Sequence, residues 1–217
     1  MRIEKREVSD FNQISLRGYG ELFITQGEQE SLTVQADEDE LSSIKTEVVE
    51  GKLRISVITD WIEKISSFFS RGFYSQRITF DLTVKELTNL DIIGAARVHV
   101  KGLQGEEFAV KLGGAADITI DSLETKQLKV ELPGAGLLKI TGKTIDQSVN
   151  VSGAGAYEAP HLESQSATIE MTGLGKATVW VVEELEATLI GLGSIEYYGD
   201  PIVSKSIQGL GSITGLG

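Results

Sequence analysis

Apolar and polar residues alternate through the C-terminal part of the chain, and the alternation restarts at nearly fixed intervals. Seven segments align without gaps: LDIIGAARVHV from Leu90, VKLGGAADITI from Val110, VELPGAGLLKI from Val130, VNVSGAGAYEA from Val149, IEMTGLGKATV from Ile169, ATLIGLGSIEY from Ala187 and KSIQGLGSITG from Lys205. An eighth, ISLRGYGELFI, begins at Ile14. Two residues before the first glycine every copy is apolar: Leu16, Ile92, Leu112, Leu132, Val151, Met171, Leu189 and Ile207. Four residues after it stand Leu22, Val98, Ile118, Leu138, Tyr157, Ala177, Ile195 and Ile213. Polar columns lie between, so each copy predicts two short strands on either side of a glycine turn.

The aligned glycines are Gly94, Gly114, Gly134, Gly153, Gly173, Gly191 and Gly209, spaced 20, 20, 19, 20, 18 and 18 residues apart. A strand–helix–strand unit needs about 30 residues, so these intervals are too short for one. They suit one coil of a solenoid, in which equivalent residues of successive coils stack about 4.8 Å apart. The predicted fold is therefore all-β: a right-handed parallel β-helix or solenoid with 18–20-residue coils and G-x-G turns, right-handed by the crossover rule. An antiparallel sandwich has no reason to keep one column apolar eight times. Stacking also predicts Asp91, Lys111 and Glu131 as neighbours of alternating sign.

One domain is expected over 1–217, with irregular coils over 1–89, an aromatic insertion at 61–74, and regular coils over 90–217. The interval from Gly18 to Gly94 is 76 residues, four times 19, which leaves diverged coils or coincidence as its explanation.

Composition narrows the function. Glycine is 24 of 217 residues, about 11% against a usual ~7%, which the repeated turns explain. The net charge of −12 would repel a phosphate backbone, so nucleic acid is not an expected partner. The absence of Cys removes disulfides, a thiol nucleophile and thiolate metal sites. No run of about 18 apolar residues predicts a transmembrane helix. The polar start, Met1-Arg2-Ile3-Glu4-Lys5-Arg6-Glu7, lacks the apolar core of a signal peptide.

The repeated G-x-G turns, together with Phe11-Asn12-Gln13-Ile14, Ile24-Thr25-Gln26-Gly27, Leu32-Thr33-Val34, Ile44-Lys45-Thr46-Glu47-Val48 and Leu53-Arg54-Ile55, resemble the head GIN domain family of bacterial "putative auto-transporter adhesin" proteins. The likeness runs over about residues 3–217. It implies a β-helix-like fold and an exported, surface-associated protein, and it carries over no catalytic residue. The chain departs from the family in having no signal or lipoprotein segment. It also has Ala or Leu between the glycines in copies two to eight. The expected location is extracytoplasmic, with the signal segment outside this sequence, or cytoplasmic if Met1 is the native start.

Candidate chemistry is sparse. Of the two histidines, His99 falls in an outward column with Thr119, Lys139 and Glu158, and His161 follows Pro160 at a corner. Both read as surface residues. Asp117 and Asp121, or Asp91 beside Lys111, could supply the carboxyl spacing of a glycosidase, as acidic residues on a solenoid surface often will. Gly113-Gly114-Ala115-Ala116-Asp117 looks once like a calcium-binding repeat, but its column does not repeat the carboxylate. Asp37-Glu38-Asp39-Glu40 reads as a solvated turn or helix start. No catalytic residue, metal or cofactor is expected.

Two aromatic groups are the candidate binding surfaces. Trp61, Phe68, Phe69, Phe73 and Tyr74 lie in the insertion, which reads as a cap on the solenoid or as an interface. Trp180 and Tyr198 stand seven residues after their glycines on adjacent coils, with Tyr197 and Asp200 nearby. Alternation would turn the pair outward as a platform for a sugar ring; the other reading is that it shields a corner. The expected function is non-catalytic: an envelope or surface adhesin binding a protein or glycan. The alternatives are a polysaccharide lyase or hydrolase, and a structural module that self-associates as a homo-oligomer through its solenoid end.

Overall fold

The computed structural model describes residues 1–58 and 78–217. The insertion at 61–74, with Trp61, Phe68, Phe69, Phe73 and Tyr74, lies outside the described residues.

From residue 89 onward the chain winds as stacked parallel coils. Strands β7 (Asn89–Val100), β8 (Leu103–Gln104) and β9 (Glu107–Leu112) form the first of these. Then follow β10 (Ala115–Leu132), β11 (Ala135–Val151), β12 (Ala154–Met171), β13 (Leu174–Tyr198) and β14 (Ile202–Gly215). Each pairs in parallel with the next, and the register is the one that the aligned glycines predict. Ala95 faces Ala115, Ala115 faces Ala135, and Ala135 faces Ala154.

Unequal coil lengths are absorbed at corners. Between β10 and β11 the offset is 20 residues at Ala115↔Ala135 and 19 at Leu123↔Gly142, the shift falling between Ile120 and Leu123. Straight segments therefore stay in register while corners gain or lose residues, one at the β10–β11 corner and three between Ala159 and Glu163 against β13.

The apolar columns form the core. Leu112, Leu132, Val151 and Met171 are all buried, and Leu132 faces Val151, which faces Met171. In the second column Tyr157 is buried between Leu138 and the small Ala177, so one large ring is offset by one methyl.

The glycine column has a steric cause. Gly94 has φ 141°, a conformation that side chains resist, and a Cβ there would overlap the Gly18 carbonyl oxygen. Gly114, Gly134, Gly153 and Gly173 meet the carbonyl of the preceding glycine in the same way.

No coils stack between Gly18 and Gly94, which lie on adjacent strands. Strand β2 (Gln13–Gln26) pairs directly with β7, with Gly18 opposite Gly94. Two of the described strands between them pair with the other edge of β2. Strands β1 (Arg2–Arg6), β3 (Ser31–Ala36) and β6 (Thr79–Val84) extend the sheet past β2, with β3 antiparallel to both others. Strands β4 (Ile44–Val49) and β5 (Lys52–Val57) form a hairpin whose two-residue turn, Glu50-Gly51, has positive φ at both positions. That is the turn whose twist suits paired strands. The multiple of 19 between Gly18 and Gly94 is therefore a coincidence.

Candidate functional site

The outward columns become continuous ladders across the sheet. One passes through Thr33, Asp81, Phe23, His99, Thr119 and Lys139 in register. Within it the Phe23 and His99 rings stack, with centroids 5.4 Å apart and planes 10° apart. Phe23 is 38% exposed and His99 is half-buried. Asp81 flanks Phe23 on one side, and Thr119 flanks His99 on the other. Two residues away in the same strands, Arg97 pairs with Glu21 at 3.3 Å. Apolar ring surface and hydrogen-bonding groups therefore share one outward face.

Charge alternation along the coils is real. Lys111 pairs with Glu131 at 3.0 Å, and Lys129 reaches the same carboxylate at 2.9 Å. Hydrogen bonds from Lys129 and then Lys111 hold the Glu131 carboxyl below its ordinary range, and the bond to Glu131 holds Lys111 above its own. Further along, Lys139 pairs with Glu158 at 3.3 Å and Lys176 with Glu196 at 2.7 Å. These exposed pairs each contribute about 0–1 kcal/mol. A shallow groove of about 500 Å³ lies over this face, with Lys129, Glu131, Asn150 and Glu170 lining it beside the apolar Val130 and Pro133.

Trp180, Tyr197 and Tyr198 are half-buried. The Tyr197 ring lies over Gly215, where an added Cβ would come within 3.0 Å of it, and the Trp180 indole lies beside Gly199. Two of the three rings thus cover glycine backbone of the next coil. Among the described residues the stacked ring pair is Phe23 with His99, not Trp180 with Tyr198. The sequence held that signal, since Phe23 and His99 each stand five residues after their glycine. Using it required knowing that those two coils touch.

The other candidates are dispersed. His161 is exposed at a corner opposite Thr141. Asp117 is exposed between Arg97 and Leu137. Glu38 to Leu41 form a single helical turn, α1, in which Glu38 pairs with Arg2 at 2.6 Å and Glu40 accepts a hydrogen bond from the Tyr19 hydroxyl. Among the described residues no group of three His, Cys, Asp or Glu side chains is placed to hold a metal ion.

Inside the coil, Tyr157 donates a hydrogen bond to Gln147 at 2.9 Å and Gln147 donates to Ser164 at 2.7 Å. Ser164 then donates to the Trp180 carbonyl at 2.9 Å. The chain of bonds ties three successive coils, and burial pushes the Tyr157 phenol well above the ordinary tyrosine range.

A parallel β-solenoid with polar ladders outside, an apolar core and a mixed N-terminal sheet is the class these features define. The chain belongs to the head GIN domain family, described as "Putative auto-transporter adhesin, head GIN domain", whose model matches residues 10–201. Its fold is similar to that of a "putative adhesin" from Bacteroides fragilis, with a TM-score of 0.89 at 24% identity, over 99% of this chain and 96% of that one. A "putative lipid binding protein" from Parabacteroides distasonis gives 0.74 at 21% identity, over 100% and 96%. A "putative adhesin" from Parabacteroides merdae gives 0.68 at 19%, over 100% and 96%. No curated protein matches the chain. Among the described residues no helix is long and apolar enough to cross a membrane.

Proposed function

We propose that the chain is a non-catalytic adhesive module working outside the cytoplasm, and that it holds a glycan on its outward wall at Phe23 and His99. The observation that carries the reading is the stacked, partly exposed ring pair with Asp81 and Thr119 beside it in register. Aromatic surface receives the apolar face of a sugar ring, while flanking carboxylate and hydroxyl groups bind its hydroxyls. Membership of a family described as adhesins supports a binding role. The scattered placement of Asp117, His99 and His161 gives no support to a hydrolase or lyase. The Trp180, Tyr197 and Tyr198 edge is the second candidate surface, and its rings lying on glycine backbone favour a shielding role there.

A glycan array with the wild-type chain, followed by titration of the best binder, tests the reading. Phe23→Ala should weaken binding about tenfold, the loss of roughly 1.4 kcal/mol of ring contact, while Trp180→Ala and Tyr198→Ala leave it unchanged. Loss confined to Trp180→Ala or Tyr198→Ala would move the site to that edge. Turnover of any polysaccharide would overturn the non-catalytic reading. Cell fractionation with an antibody to the chain tests the location.

A further inference from the structure

The two ends of the sheet are built differently. One ends in β1, which is five residues long and carries Arg2, Glu4, Lys5 and Arg6. The other ends in β14, which is 14 residues long and, among the described residues, pairs along one edge alone. An exposed strand of that length is a template for another chain unless something blocks it. Several β14 side chains are apolar and open: Ile202 is 80% exposed, Leu210 78% and Ile207 44%.

Yet the core-facing column of this coil is broken. Followed through the register, one column begins at Val48 and Leu53, passes through Ile14, Val130 and Ile169 to Ala187, and ends at Lys205. Apolar residues fill every earlier place. Ala187 is buried, and Lys205 stands directly over it, exposed. Lys205 is also the one charged side chain from Pro201 to Gly217, in a chain of net charge −12.

We propose that Lys205 guards the open edge of β14: it prevents a second copy of this chain from seating a coil there. A coil laid there would enclose the Lys205 ammonium between two apolar layers without a carboxylate in its own column. Burying an unpaired charge is strongly unfavourable, and the contacts of a seated coil would have to repay that cost before any association could show. Long solenoids need such polar end coils to remain soluble. The inference is independent of what the outward wall binds. It opposes the reading of the molecule as a module that self-associates through this end.

Light scattering coupled to size exclusion, from micromolar to millimolar chain, decides it. The wild type and Lys205→Glu should both run as monomers, because either charge blocks the seat. Lys205→Val restores the residue type of the column and should at least double the mass in a concentration-dependent way. Lys205→Ala, which adds no β-branched bulk, should shift in the same direction. Monomeric Lys205→Val and Lys205→Ala with native circular dichroism would overturn the proposal. So would a wild-type oligomer that dissociates on Ile207→Asp.

Discussion

At Gly134 one added methyl group would enter space held by the Gly114 carbonyl oxygen. Gly134→Ala should therefore lower stability by about 1–3 kcal/mol in urea unfolding, the usual cost of overpacking. Ala135→Ser, one residue on and exposed, should stay within about 0.5 kcal/mol. Tyr157 makes a second residue-scale prediction. Its phenol keeps its proton in the folded state, whereas the unfolded chain releases it above about pH 10. The folded pKa is raised, so its contribution is complete below about pH 10 and falls as pH rises, by about 1.4 kcal/mol per unit. Tyr157→Phe should remove that share of the alkaline slope. It should also cost about 1–3 kcal/mol at neutral pH, because the Gln147 carbonyl loses its donor inside the coil. A wild-type slope equal to the mutant's would mean that the phenol reaches water.

At the scale of the element, the stacked columns make each strand depend on the two beside it. Leu132 lies between Leu112 and Val151 and is fully enclosed, so Leu132→Ala should cost about 2–5 kcal/mol by denaturant titration. An ion pair such as Lys139 with Glu158 should be almost silent in the same assay. The regular coils were legible in the sequence because the repeat aligns itself: the glycine positions state which residues face each other. The N-terminal strands were not. Period-two alternation looks the same whether a strand pairs parallel or antiparallel, and β3 meets β6 across about fifty residues of chain. The orientation of Trp180 and Tyr198 was also beyond reach, since alternation cannot be carried through a corner. Gly199, at φ 93°, turns the chain there. Phe23 and His99 show the reverse case, in which the column position was readable and the contact between their coils was not.

Over the whole molecule, each coil touches little besides its neighbours, so stability should vary along the axis rather than be shared evenly. Among the described residues, strand β14 pairs with β13 alone. Its amides should exchange with deuterium first among the regular coils, and those of β10 to β12 last. Uniform protection from β7 to β14 in exchange mass spectrometry would mean that the stack unfolds as a single unit.

The coil period has a mechanical consequence. Hydrogen bonds between coils run along the stack, so a pull on the two ends loads them one rung at a time instead of all together. Each rung released would free 18–20 residues, about 60–70 Å of contour length. A molecule anchored at one end and gripped at the other would then lengthen in even increments under drag and limit the peak load on its attachment. Single-molecule stretching should record a staircase of that step size across the glycine repeats. Larger and irregular steps should appear where the N-terminal strands come undone.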